Sequence, residues 1–382
     1  MQFNEIKEIN NDIIVYLNTN KITEMTPVQA QSFKHIYNNK DMIICSSTGT
    51  GKTLAYLLPI ISKLDPSNKN IQALIVVPTG ELAAQINSVA NDLLEKNPNL
   101  NANFVVGEAN IKRQIETLKK TKPSILIATP ARLQELIHTK KIKVHEVKTL
   151  VLDESDKLLN KTFINTIENI RKSLMKRTQV ILTSASINNK TKAFAKDNCF
   201  NPIYMDINSN LNNESIIPKT IKHLYFFSDR RERIENLRKI IKAAKPKKCI
   251  VFINSKYDLE ESYQKLQYHN YNVACLSSKN SSIEKKHSIE DFKSGKVNIL
   301  IATDIAARGL QIDNIDTVIN VNLPEENEEY IHRAGRCGRN GNPGTCISII
   351  TENETNKIKN YQKSFKINML AKKLYQGKIV AK

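Results

Sequence analysis

An apolar run at residues 42–45 leads directly into Ser46-Ser47-Thr48-Gly49-Thr50-Gly51-Lys52-Thr53, and an apolar helix-forming stretch follows. A strand, a glycine-bearing loop and a helix in that order are what a phosphate cradle requires. Gly49 and Gly51 let backbone N–H groups turn toward phosphate oxygens, and the start of the helix adds partial positive charge. Lys52 can neutralise β- and γ-phosphates, and the Thr53 hydroxyl can hold Mg²⁺. The strict pattern has glycine where Ser46 stands, and the bland alternative is an ordinary glycine turn before a helix.

A second apolar run, 149–152, ends in Asp153-Glu154-Ser155-Asp156. Asp153 is placed to hold Mg²⁺ through water, and Glu154 to orient or deprotonate an attacking water. Taken alone, such a cluster is more often an acidic first helical turn. The phosphate loop in the same half of the chain reverses that preference. Farther on, Tyr330 precedes His332-Arg333-Ala334-Gly335-Arg336-Cys337-Gly338-Arg339. Guanidinium forks suit phosphate oxygens, and an arginine facing the loop would stabilise charge that develops during phosphoryl transfer. A basic loop that binds nucleic acid directly, or pairs with acidic neighbours, is the alternative.

Positioning these groups needs buried strands. Short apolar runs recur at 42–45, 73–77, 104–106, 125–128, 149–152 and 180–182, then at 224–227, 249–253, 273–276, 299–302, 317–321 and 346–350. Continuous runs of this kind suit parallel strands covered on both faces. Helical periodicity alternates with them, for example at 112–119 and 233–241. The pattern predicts two tandem α/β domains, each a doubly wound parallel sheet. Their expected bounds are 1–207 and 219–365. Between them, 208–218 (NSNLNNESIIP) reads as a flexible linker. Residues 366–382 carry five Lys and no acidic residue, and read as a basic, frayed or loosely docked tail.

Formal net charge is +19, from 57 Lys and Arg against 38 Asp and Glu, which favours a polyanionic partner such as nucleic acid. The six cysteines form no CxxC pair, so a zinc or redox centre is not expected. No signal-peptide stretch opens the chain, and no run approaches the roughly 20 apolar residues that span a bilayer. A soluble, cytoplasmic protein without a membrane partner is the expectation.

Together these residues resemble the DEAD-box RNA helicases of helicase superfamily 2. The resemblance runs from Phe3 to about Ile350, with motifs in the family's order and spacing. The compact size is similar to short bacterial members associated with ribosome assembly. The family has two RecA-like domains, which agrees with the two sheets read above. The resemblance implies ATP and Mg²⁺ as cofactors, RNA as the partner, pre-ribosomal RNA as a candidate, and a monomer. Thr26-Pro27-Val28-Gln29 is similar to the adenine-reading Q motif, with Gln29 on the base edge and Phe3 as its upstream aromatic. The nucleotide loop then includes Thr48, Gly49, Thr50, Gly51, Lys52 and Thr53. The catalytic set is Lys52, Asp153, Glu154, Arg336 and Arg339, with Thr53 and Asp153 at the metal. Ser184-Ala185-Ser186 matches the coupling motif, and His332 contacts it. RNA contacts fall on Pro78 and Thr79 of PTGELAAQ, on Thr129 and Arg132 of TPAR, on Asn254 of VFINS, on Lys285 and on Thr303 of ATD. Backbone grip of this kind is weakly sequence-dependent, and ribose 2′-OH contacts select RNA.

The chain departs from the family pattern mostly on the RNA and ribose sides. Gly80 replaces the Arg of PTRELA, which removes a phosphate contact, so Gly80→Arg is expected to tighten RNA binding. Gln311 replaces the Asp that meets the ATP ribose, so discrimination against 2′-deoxy-ATP is expected to weaken. Ile22 stands where an aromatic stacks on adenine. Gly107-Glu108 replaces a Gly-Gly pair, and Ser282 and Lys285 stand for Gln and Arg. Ser155 and Ser186 are mild changes. The first reading is an RNA-stimulated ATPase that unwinds short duplexes or remodels ribonucleoprotein. A low-turnover ATP-gated RNA clamp or scaffold is the second, and a DNA helicase the third. A simple kinase or GTPase leaves the arginine motif and the second sheet unexplained.

Overall fold

The computed structural model describes residues 1–46, 49–207, 220–277, 280–307, 312, 314–325, 327–338 and 342–382. The chain divides into two compact units, Met1–Asn210 and Leu211–Lys382. The expected linker, 208–218, lies outside the described residues.

In the first unit the strands are β1 (Met42–Cys45), β2 (Ala73–Val76), β3 (Ala102–Val105), β4 (Ile125–Ala128), β5 (Thr149–Leu152), β6 (Gln179–Ser184) and β7 (Ile203–Asp206). They pair in the order β3-β4-β2-β5-β6-β1-β7, and every pairing is parallel. β1, β2, β4, β5 and β6 are buried along their whole length, as strands with helices on both faces must be. One apolar cluster forms on each face: Ile44, Ile75 and Val151 belong to one, and Ile43, Leu74 and Leu150 to the other. The period-2 alternation of a strand makes that division.

Helix starts are written locally. Thr79, Asn110 and Asn188 each accept a backbone N–H at the head of the helix that follows. Pro27 and Pro130 occupy first-turn positions, where a missing N–H costs nothing. The crevice at the C-terminal ends of such strands is where doubly wound sheets bind ligands. The loops after β1, β2, β4, β5 and β6 carry the motifs noted above.

The second unit contains β8 (Ile221–Phe227), β9 (Cys249–Phe252), β10 (Val273–Leu276), β11 (Ile299–Ala302), β12 (Thr317–Asn320), β13 (Gly344–Ile350), β14 (Met369–Tyr375) and β15 (Lys378–Ala381). Their order is β10-β11-β9-β12-β13-β8-β14-β15. All pairings are parallel except the terminal hairpin, β14 with β15.

That hairpin corrects the expectation of a frayed tail. Met369 is buried, and Leu374 and Ile379 pack against an apolar cluster. β14 pairs with β8, and the Lys382 ammonium lies 3.7 Å from the Phe227 ring centroid. The apolar positions here are few, and lysines interrupt them. Only the open edge of β8 makes a strand of this segment. No helix among the described residues is long and apolar enough to cross a membrane.

Candidate functional site

The phosphate loop of the first unit follows β1. Gly49 and Gly51 have φ of +82° and +91°, a backbone region that L side chains rarely adopt. Gly51 also lacks room for a side chain, because a Cβ there would stand 2.4 Å from Gln29 Nε2. Gln29 is buried. Its Oε1 accepts from Thr26 N–H at 2.9 Å, and its Nε2 donates to Gly51 O at 3.2 Å. The Q-motif glutamine is thus fixed against the loop from its far side. Phe3 is buried in the adjoining apolar cluster, and Ile22 packs at its edge.

Where the strict pattern has glycine, Ser46 is buried and its hydroxyl lies 2.7 Å from Thr50 Oγ1. Ser46 N–H also donates to Ser184 O at 3.0 Å, which joins the loop to the serine motif at the end of β6. Lys52 opens the helix Lys52–Ile61, and its Nζ donates to Ser46 O at 2.5 Å. Burial holds the Lys52 pKa below the usual lysine value, against the opposing pull of Asp153, Glu154 and Asp156. Thr48 lies outside the described residues.

Asp153 is 4% exposed at the end of β5. Its Oδ1 accepts from Thr183 Oγ1 at 2.5 Å and its Oδ2 from Tyr56 Oη at 2.9 Å. Burial raises its pKa above the ordinary carboxylate value. Tyr56 stands on the same helix as Thr53, one turn on, so the helix Lys52–Ile61 carries both Thr53 and the phenol that holds Asp153. Glu154 has φ of +53°, a strained position for a non-glycine residue, and this turns it off the strand. Its Oε2 lies 3.0 Å from Lys157 Nζ. Ser186 N–H donates to Ser184 Oγ at 3.2 Å, while Ser186 Oγ is buried with no hydrogen-bond partner.

A half-buried lysine, a buried carboxylate with two hydroxyl donors, and glycines at positive φ make a fitting donor set for a triphosphate with Mg²⁺. Sequence reading missed Tyr56 and Thr183. Tyr56 stands three residues after Thr53, on the same helical face, and that spacing was the available signal. Thr183 had none, because strand pairing alone brings it beside Asp153.

The strand-contact motifs lie on neighbouring loops of this unit. Thr79 caps the helix Gly80–Leu94 by accepting Leu82 N–H at 3.3 Å, and Pro78 precedes it half-buried. Thr129 Oγ1 is buried without a partner. Arg132, the arginine of TPAR, is turned onto its own unit. It is 8% exposed, and it donates to Ala109 O at 3.1 Å, Gly107 O at 3.0 Å and Glu135 Oε2 at 3.0 Å. Its fork clamps the 107–109 loop instead of reaching into solvent.

In the second unit the three arginines of the HRAGRCGR motif do not share one fate. Arg333 is 1% exposed. Its Nε and Nη2 grip both oxygens of Asp304 at 2.6 and 2.5 Å. It also donates to Asn320 Oδ1 at 3.0 Å, Asn322 O at 2.7 Å and Asn254 Oδ1 at 3.2 Å, and lies 4.9 Å from the Phe252 ring centroid. Arg333 therefore ties the Asn254 loop, the Asp304 loop and its own helix together, a positioning role that sequence reading did not assign. Thr303 Oγ1 accepts from Ala306 N–H at 3.3 Å and starts the short helix Asp304–Ala307. His332 and Arg336 are buried. Lys285 lies half-buried on the helix Ser282–Ser294. Arg339 and Gln311 lie outside the described residues.

Residues 26–194 match the DEAD/DEAH box helicase family, and residues 232–341 match the helicase conserved C-terminal domain. The chain is 35% identical over 357 residues to the DEAD-box ATP-dependent RNA helicase CshC of Bacillus cereus, covering 94% of this chain and 90% of that relative. It is 36% identical over 360 residues to the probable ATP-dependent RNA helicase YfmL of Bacillus subtilis, covering 94% and 93%. Among solved structures, S. cerevisiae Dbp5 bound to RNA and ADP BeF3 is similar with a TM-score of 0.87 and 25% identity, over 97% of this chain and 95% of that one. Two family matches in tandem, and relatives that align along almost their entire length, place the chain in the DEAD-box helicase family.

Proposed function

We propose that this chain is an RNA-stimulated ATPase that couples hydrolysis of ATP to local unwinding or remodelling of RNA. The observation that carries the reading is Asp153, buried and held by hydrogen bonds from Tyr56 and Thr183, with Lys52 close enough to feel its charge. A cation and a carboxylate set side by side support phosphoryl-transfer chemistry. The relatives' names, which specify ATP and RNA, support the same reading.

Lys52 Nζ, seated on Ser46 O, moves a short way onto the terminal phosphates. Gln29 reads the adenine edge from a position braced against Gly51. Thr53 and Asp153 would hold Mg²⁺, which when bound would neutralise phosphate charge. Glu154 orients the attacking water and accepts its proton. Arg336 and Arg339 supply guanidinium groups for the charge that builds on the departing phosphoryl group. The Ser46–Ser184 bond gives the coupling motif a direct mechanical link to the phosphate loop. On the RNA side, contacts to the backbone are assigned to Pro78, Thr79 and Thr129 in the first unit and, separately, to Asn254, Lys285 and Thr303 in the second.

The test is steady-state ATPase activity of the full chain with no nucleic acid, with single-stranded RNA and with DNA. RNA alone is expected to stimulate turnover. Glu154→Gln is expected to cut turnover by roughly 10²–10⁴-fold while nucleotide still binds, and Lys52→Ala to abolish both. Tight ATP-dependent RNA binding without turnover in the unaltered chain would instead make it a clamp, and equal stimulation by DNA would make it a DNA helicase.

A further inference from the structure

Two departures from the family pattern, far apart in sequence, meet in space. Gly80 is the first residue of the helix Gly80–Leu94, and Glu108 lies in the loop after β3. A Cβ placed on Gly80 would stand 3.2 Å from Glu108 Oε2 and 3.5 Å from Val106 Cγ1. The space beside residue 80 thus already holds a carboxylate. The first N–H groups of a helix have no intrahelical partner, and they carry the positive end of its dipole. Such a place attracts phosphate oxygens. Here it lies beside Pro78 and Thr79, and a side-chain anion stands at it.

The loop that presents Glu108 is rigidly held. Arg132 donates to the carbonyls of Gly107 and Ala109 on either side of it. Gln114 accepts from Val106 N–H at 2.9 Å and donates to Val106 O and Ala109 O, both at 3.0 Å. Backbone groups of 106, 107 and 109 are therefore clamped from two directions, while the Glu108 side chain itself is exposed. The clamp fixes the backbone from which the Glu108 side chain projects beside the helix start.

We propose that Glu108 is an affinity-setting residue for RNA: its carboxylate occupies the helix-start position that a backbone phosphate would take, and opposes the strand there. The substitution of Gly80 completes the device, since a cationic side chain at that position would pair with Glu108 and cancel it. The inference rests on the reading above that RNA tracks past Pro78 and Thr79. The effect is local to one phosphate step, so it weakens grip on every sequence alike.

Binding of a short labelled oligouridylate to the full chain, with a non-hydrolysable ATP analogue present, tests it by anisotropy across a salt series. Glu108→Gln is expected to tighten binding about two- to fivefold near 50 mM salt, with the gain shrinking as salt rises. Gly80→Arg alone, expected from the sequence to tighten binding, is expected with Glu108 beside it to change affinity little, because the carboxylate neutralises the new charge. In the Glu108→Gln background the same substitution is expected to tighten binding further and to steepen the salt slope by about 0.7. Equal effects of Gly80→Arg in both backgrounds overturn the proposal. Glu108→Lys separates the two levels. If it tightens binding while Glu108→Gln does nothing, RNA passes this loop but the carboxylate does not oppose it. If Glu108→Lys also leaves affinity unchanged, RNA does not pass here, and the path assigned to Pro78 and Thr79 fails with it.

Discussion

Each unit uses one buried arginine to hold its motif loops, and the two arginines are held differently. Arg132 in the first unit spends its fork on two carbonyls of the 107–109 loop and on Glu135, whose side chain is 49% exposed. Arg333 in the second unit grips Asp304, whose side chain is 17% exposed, while its own is 1% exposed. The first is a local brace whose charged partner, Glu135, stands half in water. The second is a buried ion pair, with three further hydrogen bonds to neighbouring loops. The difference shows how much of each unit depends on its arginine. Removing the first loosens one loop, whereas removing the second strands a carboxylate and disconnects three motifs.

That contrast orders the effects to be measured. Arg333→Ala is expected to cost about 3–5 kcal/mol, because Asp304 is left with an uncompensated charge in a largely buried site. Urea denaturation of the full chain reads this as a lower midpoint. Arg333→Lys keeps the charge but cannot serve five acceptor atoms from one ammonium, so RNA-stimulated turnover is expected to fall well below that of the unaltered chain. Arg132→Ala is expected to cost roughly 1–3 kcal/mol from two deprived carbonyls, and to make the 107–109 amides exchange faster with solvent. A cost as large as that of Arg333→Ala would erase the distinction between brace and hub. Glu135→Gln is expected to be the smallest change, at roughly 0.5 kcal/mol or less, since a half-exposed ion pair contributes little. A larger loss there would mean that Arg132 depends on its carboxylate more than on the loop carbonyls.

Much of the site was legible in the chain because it is local. The loop from Ser46 to Thr53, the Asp153-Glu154 step and the HRAGRCGR stretch each hold their chemistry within a few residues, and an apolar strand leads into each of the first two. Spacing alone could not show which arginine of that last stretch holds the neighbouring motifs. Asp304 at a helix start, Asn320 at the end of β12 and Asn254 in a loop all converge on Arg333. The partners of the TPAR arginine were equally beyond spacing, because the carbonyls it grips come from a loop more than twenty residues away.

By itself the sequence determined the buried strands that carry the motifs and the loops at their ends, and it singled out the groups proposed to handle phosphate, because periodicity and short motifs are properties of neighbouring residues. Tertiary structure alone decided that residues 369–381 become a hairpin on the edge of β8, that Thr183 and Tyr56 converge on Asp153, that Gln29 braces Gly51, and that Glu108 stands beside Gly80. Each of those outcomes depends on pairing between strands or loops distant in the chain. Such pairing is settled by which apolar faces can be buried together and which polar groups must then find partners.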